Sequence, residues 1–259
     1  NQRHIISEAI RDTLTKHGFS EVITTSFQKK DEVALLSSLA SDKSYLRSTL
    51  IPNLADALAK NAPYTDLLGT ADTRIFEIGT VFTLGGELGV TEQVALALGV
   101  RLKTTGYSGK EDVVLEMALL ALATILGTPT WNKVKGIAEC NLTEILKNLP
   151  QAAAYALVPA SLATTYVPFS HYPSVSRDIA LWMEAGTEVG VVAAALNAAA
   201  GALLIRLTHL DTFTNDEGRT SVAFRLVFQS HEKTLDGGEV DAQMQSIYAT
   251  VTGSGWEVR

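Results

Sequence analysis

The 259-residue chain contains one cysteine, Cys140. An internal disulfide and a cysteine-based zinc cluster are therefore both excluded, and a lone thiol suits a reducing, cytoplasmic setting. Cations are in the minority: 21 Lys and Arg face 28 Asp and Glu, for a formal net charge of −7. That balance argues against a generally basic nucleic-acid binder. No apolar run is long enough to span a bilayer. The longest, "VVLEMALLALATILG" (113–127), is interrupted by Glu116 and predicts a core helix. No leader-like segment opens the chain, which begins with Asn1 rather than Met and so reads as a piece of a longer protein. The five histidines, His4, His17, His171, His209 and His231, show no metal-ligand spacing. P-loop, nucleophile-elbow and Ser-His-Asp patterns are absent. No catalytic residue and no metal ligand are expected in this chain.

Apolar residues make up 46% of the sequence, enough for a packed core and too many for disorder. In "HIISEAIRDTLTKHGFSEVITTSF" (4–27), Ile5, Ile6, Ala9, Ile10, Thr13 and Leu14 recur at helical spacing. Gly18 is a candidate helix stop, and a strand is expected near Glu21–Phe27. "IPNLADALAKN" (51–61) predicts a second helix with Pro52 in its first turn. "TRIFEIGTVFTLGGELG" (73–89) and "TEQVALALGVRL" (91–102) predict a hairpin turning at a Gly-Gly pair, followed by a helix at roughly 110–126. This is an α+β layout with helices on an antiparallel sheet. Residues 128–158 hold short strand-like and helix-like pieces in no evident order. "PASLATTYVPF" (159–169), small residues bracketed by prolines, marks a linker, with domains at 1–158 and 169–259 and the linker over 159–168.

Beyond it the order is strand (176–183), helix (187–201), strand (203–211), turn (215–218), strand (219–229), helix to about Val251 and a short strand (255–258). Thr187 is a candidate N-cap, Gly201 a C-cap, and Asp236 with Glu239 a capping box. βαββαβ is the ferredoxin-like split motif, with both helices on one sheet face and the other bare. Val222, Phe224, Leu226 and Phe228 would face the helices; Arg225, Ala223, Val227, Ala180 and Trp182 would lie on the bare face. An arginine and an aromatic on an open sheet suit base stacking and backbone contact. Packing on another domain is the alternative use of such a face.

"HYPSVSRDIALWM" (171–183), "HLDTF" (209–213) and "EGRTSVAFRLVFQSHEKTLDGGEV" (217–240) together resemble the ferredoxin-fold anticodon-binding domain that closes the β subunit of bacterial phenylalanyl-tRNA synthetases. "RHIISEAIRDTLTKHGFSEVITTSF" (3–27), "YLRSTLIPNLADALAKN" (45–61) and "RIFEIGTVF" (74–82) look like the class II synthetase-like module of the same subunit, in the same order. The resemblance fades across 128–158, where the family's longer segment with an H-P-G-R-S-like stretch is not found. It implies a catalytically inactive module. Class II catalysis needs an arginine from an R-x-E motif and another in a glycine-rich motif to offset phosphoryl charge. "RIFE" (74–77) is one residue too long, and alternation puts Arg74 and Glu77 on opposite faces, where both read as strand-end charges.

The resemblance further implies a catalytic α-subunit partner in a dimer of αβ heterodimers, tRNA(Phe) binding, no membrane, and no cofactor in this chain, ATP and Mg belonging to the α-subunit active site. In the family an Asp, and an aromatic two residues on, contact the first anticodon base. The matching positions are Asp211 and Phe213, with Phe where Tyr is more common. Asp211 would accept from guanine's Watson–Crick edge and Phe213 would stack; turn capping and hairpin packing are their alternatives. Arg177 and Arg225 are further candidates for anticodon contact, unless each simply pairs with Asp178 or another local acid. Residues 166–259 hold six cations and eleven acids, a net charge of −5. An RNA binder ordinarily carries a basic face. The rival reading is therefore a structural or regulatory module that has lost RNA binding.

Overall fold

The computed structural model describes residues 2–38, 40–86, 89–102, 110–148, 165–183 and 186–259. Two compact units divide the chain: Asn1–Thr65 with Thr70–Pro159, and Asp66–Gly69 with Ala160–Arg259. Most of the linker expected at 159–168 lies outside the described residues.

The first unit is built on one long hairpin, β5 (Asp72–Leu84) and β6 (Val90–Leu102). Before it come α1 (Gln2–Lys16), the short strands β1 (Ser20–Glu21), β2 (Phe27–Gln28), β3 (Val33–Ala34) and β4 (Tyr45–Leu46), α2 (Ile51–Asn61) and a single turn, α3 (Thr65–Leu68), which after Thr65 belongs to the second unit. After it come α4 (Lys110–Leu126), β7 (Asn132–Val134), β8 (Ile137–Asn141) and α5 (Leu142–Asn148). The main sheet has the order β1-β5-β6-β8-β7. Its pairs are antiparallel except β1–β5, which is parallel. Residues 128–158, unordered in the sequence reading, thus supply two further strands of this sheet.

β6 reads as a continuous apolar run because both its faces are covered. Val94, Leu96, Leu98 and Val100 pack with Ile6, Ile10 and Leu14 of α1 and Leu115, Leu119 and Leu122 of α4. Ala95 and Ala97 face the other way, against Leu54 and Leu58 of α2. Small residues on that face bring α2 close: a Cβ at Gly99 would stand 2.8 Å from Leu58 Cδ1. Each buried leucine contributes roughly 1.5–3 kcal/mol. Helix α2 has no side-chain cap of its own. Its first turn is capped from β8 instead, where Glu139 Oε2 accepts from Leu50 N (2.8 Å) and Thr49 Oγ1 (2.6 Å).

Glu77 differs from expectation. It is a mid-strand residue of β5, only 2% exposed, paired to Arg47 Nη1 at 2.9 Å; Arg47 is 3% exposed. Thr24 donates to both carboxylate oxygens, through its backbone N–H and its hydroxyl. Arg47 also donates to Thr80 O and Thr24 Oγ1, and Asn53 of α2 to Thr25 O and Thr24 Oγ1. Gly79 clears the space, since a Cβ there would meet Arg47 Nη2 at 2.5 Å. This network also explains why the strand expected over 21–27 breaks into β1 and β2: the Thr24 side chain and the Thr25 carbonyl are taken up by the buried Arg47, Glu77 and Asn53 instead of a strand partner. Arg74 does sit on the opposite face from Glu77. It is tied to Asp72, and it donates to His17 O at the end of α1.

The second unit contains β9 (Val175–Met183), α6 (Val189–Ala199), β10 (Leu204–Thr214), β11 (Thr220–Phe228), α7 (Gly237–Gly253) and β12 (Glu257–Val258). The sheet order is β10-β11-β9-β12, all antiparallel, which is the ferredoxin-like arrangement. Ile179, Leu181, Val222, Phe224, Leu226 and Phe228 form one core with Val192 and Leu196 of α6 and Val240, Met244, Ile247 and Val251 of α7. The capping box forms as expected, Asp236 Oδ1 accepting from Glu239 N and Glu239 from Asp236 N. Thr187 does not cap α6; Glu188 holds that position and makes no side-chain cap. Gly201, just past the end of α6, adopts φ +67°, where a side chain is strained.

Removing one partner of a buried pair strands the other charge, so Arg47→Met or Glu77→Leu alone is expected to destabilise the first unit by about 3–5 kcal/mol. The double variant should recover a large part of that loss in denaturant titrations. Additive losses in the cycle would refute the coupling. Burial also pushes the Cys140 thiol up to about 12. It should therefore resist thiol reagents at neutral pH until the unit unfolds, as a labelling time course would show.

Candidate nucleic-acid interface

The sheet face opposite α6 and α7 is ordered in rows by strand register. Thr208, Arg225 and Asp178 form one row, Asp211, Ala223 and Ala180 the next, and Phe213, Ser221, Trp182 and Glu257 the third. Rows on one face of a strand lie about 6.6 Å apart. Two alanines thus floor a shallow strip between a charged row and an aromatic row, with Asp211 at its edge. The face is not wholly bare, as had been expected: Ser221 is buried between its aromatic neighbours, and Val227 is fully buried.

The third row is a cluster of rings and guanidinium groups. Trp182 and Phe213 meet edge to face, centroids 6.3 Å apart. Arg259 stands 5.4 Å from the Trp182 ring centre and 5.1 Å from that of Phe213, and Arg219 stands 5.1 Å from Trp182. Phe213 is 46% exposed, so the ring is a platform rather than core. A base stacking there can use the open side of Phe213 or lie on the Arg259 guanidinium, since both are planar. Asp211 Oδ1 accepts from Thr212 N at 2.8 Å, while Oδ2 takes no hydrogen bond among the described residues. The carboxylate is thus held in orientation with an acceptor to spare.

Asp211 and Phe213 reach this face through an irregularity. The β10–β11 register shifts between His209 and Asp211, and Leu210 has no partner across the ladder. The structure therefore brings Asp211 and Phe213 together with Trp182, Arg219 and Arg259. Arg219 and Arg259 carry no local motif, and the sequence reading counted them only as charges. Arg225 shares the face but is clamped by Asp178, directly opposite on β9: Nε–Oδ1 is 2.7 Å and Nη2–Oδ2 is 2.6 Å. Those hydrogen bonds push its pKa still further above the ordinary arginine value. Arg177 is not brought together with the others. It pairs with Leu226 on the helix-covered side and reaches Asp241 of α7 at 3.4 Å.

Comparison with known proteins agrees with this architecture. Residues 1–126 match the phenylalanyl tRNA synthetase beta chain CLM domain, and residues 170–259 match the ferredoxin-fold anticodon binding domain. The two matches together take in residues 1–126 and 170–259, and the curated relatives that align with the chain are phenylalanine–tRNA ligase β subunits. The chain is 27% identical to the phenylalanine–tRNA ligase beta subunit of Syntrophus aciditrophicus, over 93% of this chain and 36% of that protein. It is 24% identical to that of Coxiella burnetii, over 97% of this chain and 37% of the relative. It thus spans little more than a third of the length of these relatives. The first alignment runs over 298 positions, more than the 259 residues of this chain, so this relative carries segments that this chain lacks. As a β-subunit part, the chain is mixed α and β, with an anticodon-binding domain following its larger unit.

Among the described residues no group of three or more His, Cys, Asp or Glu could hold a metal ion, and no helix is long and apolar enough to cross a membrane.

Four of the six cations in 166–259 are ion-paired: Arg177 with Asp241, Arg219 with Glu257, Arg225 with Asp178 and Lys233 with Glu239. Arg259 makes no ion pair among the described residues. The isolated chain should therefore bind tRNA weakly, with log K falling by only about 1–2 per decade of salt at ~0.7–0.9 per phosphate neutralised. A titration of binding against salt concentration measures that slope, and six phosphates' worth would contradict it.

Proposed function

We propose that this chain is a non-catalytic part of the ligase β subunit that supports the catalytic α subunit and reads the tRNA(Phe) anticodon with its second unit. The observation that carries the reading is the Asp211–Phe213–Trp182–Arg259 grouping beside an alanine floor. Phe213 stacks on the first anticodon base, and Asp211 accepts from the N1–H and N2–H donors that only guanine presents together. Arg225, neutralised by Asp178, contributes to backbone contact at most, and Arg177 faces the helices and takes no part. In this reading residues 1–158 form the inactive synthetase-like module, 159–168 the linker and 169–259 the reading domain, in a cytoplasmic ligase.

Catalysis is assigned elsewhere because the cations needed on phosphoryl oxygens are missing or committed. Arg47 is locked to Glu77, and Arg74 to Asp72. ATP and Mg are used in the α-subunit site, within a dimer of αβ heterodimers. The α subunit docks on α4, where Val113, Met117 and Leu120 recur on one helix face at 59%, 62% and 75% exposure. The acidic balance of the second unit favours the rival reading, a module of the same fold without RNA binding.

The test is aminoacylation by the complex with the α subunit, using tRNAs varied at the first anticodon position. Phe213→Ala should weaken tRNA engagement by about 1–3 kcal/mol for every base. Asp211→Ala should instead relax discrimination for guanine more than it weakens binding. Wild-type behaviour of both, in folded protein, would leave the rival reading. Separately, Met117→Glu with Leu120→Lys should abolish co-purification with the α subunit while the circular dichroism spectrum is unchanged; retained co-purification would move the docking face elsewhere.

A further inference from the structure

Strand parity makes the second of the two register shifts in β10, between His209 and Asp211, decisive. Thr208 faces the open side opposite Arg225, and His209 lies opposite Phe224, a core residue on the helix side. Were alternation to continue unbroken, Leu210, Thr212 and Thr214 would occupy the open face, and Asp211 and Phe213 would point toward the helices. The extra residue, Leu210, inverts this, so that Asp211 falls opposite Ala223 and Phe213 opposite Ser221. A bulge of this kind leaves one residue without ladder hydrogen bonds, so something must hold it against a slip back into regular pairing.

The only side chain of β10 that bridges the shift is His209. Its Nε2 lies 3.0 Å from Asp211 O and 2.9 Å from Thr212 Oγ1, and its ring packs against Phe224 with centroids 5.5 Å apart. A backbone carbonyl can only accept, so Nε2 carries the proton and donates across the bulge. Thr212 Oγ1 lies on the same side, which places the clamp on the helix-facing edge and leaves the open face unobstructed.

We infer that His209 is the positioning residue for base reading: it fastens the one-residue shift that turns Asp211 and Phe213 onto the open face. It touches no base itself. The inference rests on the anticodon-reading function proposed above, and its test separates the two.

In the whole chain, nitrogen NMR of His209 should show the Nε2–H tautomer, and cross-strand NOEs should pair Asp211 with Ala223. His209→Leu keeps the packing on Phe224 and removes the donor. It is expected to weaken the Asp211–Ala223 NOE and speed amide exchange at 210–213, while the β9–β11 pairs stay as in wild type. His209→Gln returns an N–H donor and should restore the wild-type pattern. In the complex with the α subunit, His209→Leu should reduce discrimination for guanine at the first anticodon position about three- to tenfold, the size of one exposed hydrogen bond. The maximal rate with the guanine tRNA should be unchanged, and Gln should rescue the selectivity. An Nδ1–H tautomer, or an unaltered register in His209→Leu, would overturn the clamp. If Asp211→Ala and Phe213→Ala alter selectivity but His209→Leu does not, positioning fails while reading stands. If none of the three alters it, base reading fails, and the role of His209 in it fails too.

Discussion

Side chains on a strand point alternately to two faces, and nearly every assignment in this chain rests on that parity. In β5, parity separates Phe76, which joins the α1 and α4 core, from Glu77, which meets Arg47. In β6 it sends leucines and valines to one layer and alanines to the other. In the second unit it sets Arg177 on the helix side and Arg225 on the open side, although both are arginines on neighbouring central strands. One inserted residue, Leu210, reverses parity for the end of β10 and decides which side chains can meet a ligand there.

The buried Arg47–Glu77 pair is the second organising feature. Two charges out of water must be surrounded by donors and acceptors. Here those groups come from the segment around Thr24 and from β5, and Asn53 of α2 in turn donates to Thr24 and Thr25, so satisfying the pair draws three separate stretches of chain together. It also commits Arg47 to the interior of the unit, where it is held by Glu77.

Charge in the second unit follows a related logic. Arginines are numerous enough to suggest a basic face, yet cross-strand and helix partners neutralise most of them. What remains is local: one guanidinium on two aromatic rings, beside one oriented carboxylate. Such a surface suits recognition of a single base better than attachment to a backbone. The large phosphate term of RNA affinity falls in this scheme to the rest of the assembly.

Much of this was legible in the residues. The helices at 51–61 and 110–126, the long hairpin, the βαββαβ order and the Asp236–Glu239 capping box all follow from periodicity and cap chemistry, which act over four residues or fewer. The family resemblance at "SVSRDIALWM" and "LDTF" pointed to Asp211 and Phe213. The sequence could not reveal that Glu77 is buried, since its partner lies thirty positions away with no pattern linking them. Nor could it reveal that Arg219 and Arg259 stand on Trp182. Local spacing determines which elements form, because helix and strand periods are properties of neighbouring residues. Pairing register and burial belong to contacts between distant segments, so only the tertiary structure decided which charges are committed and which side chains of β10 face outward.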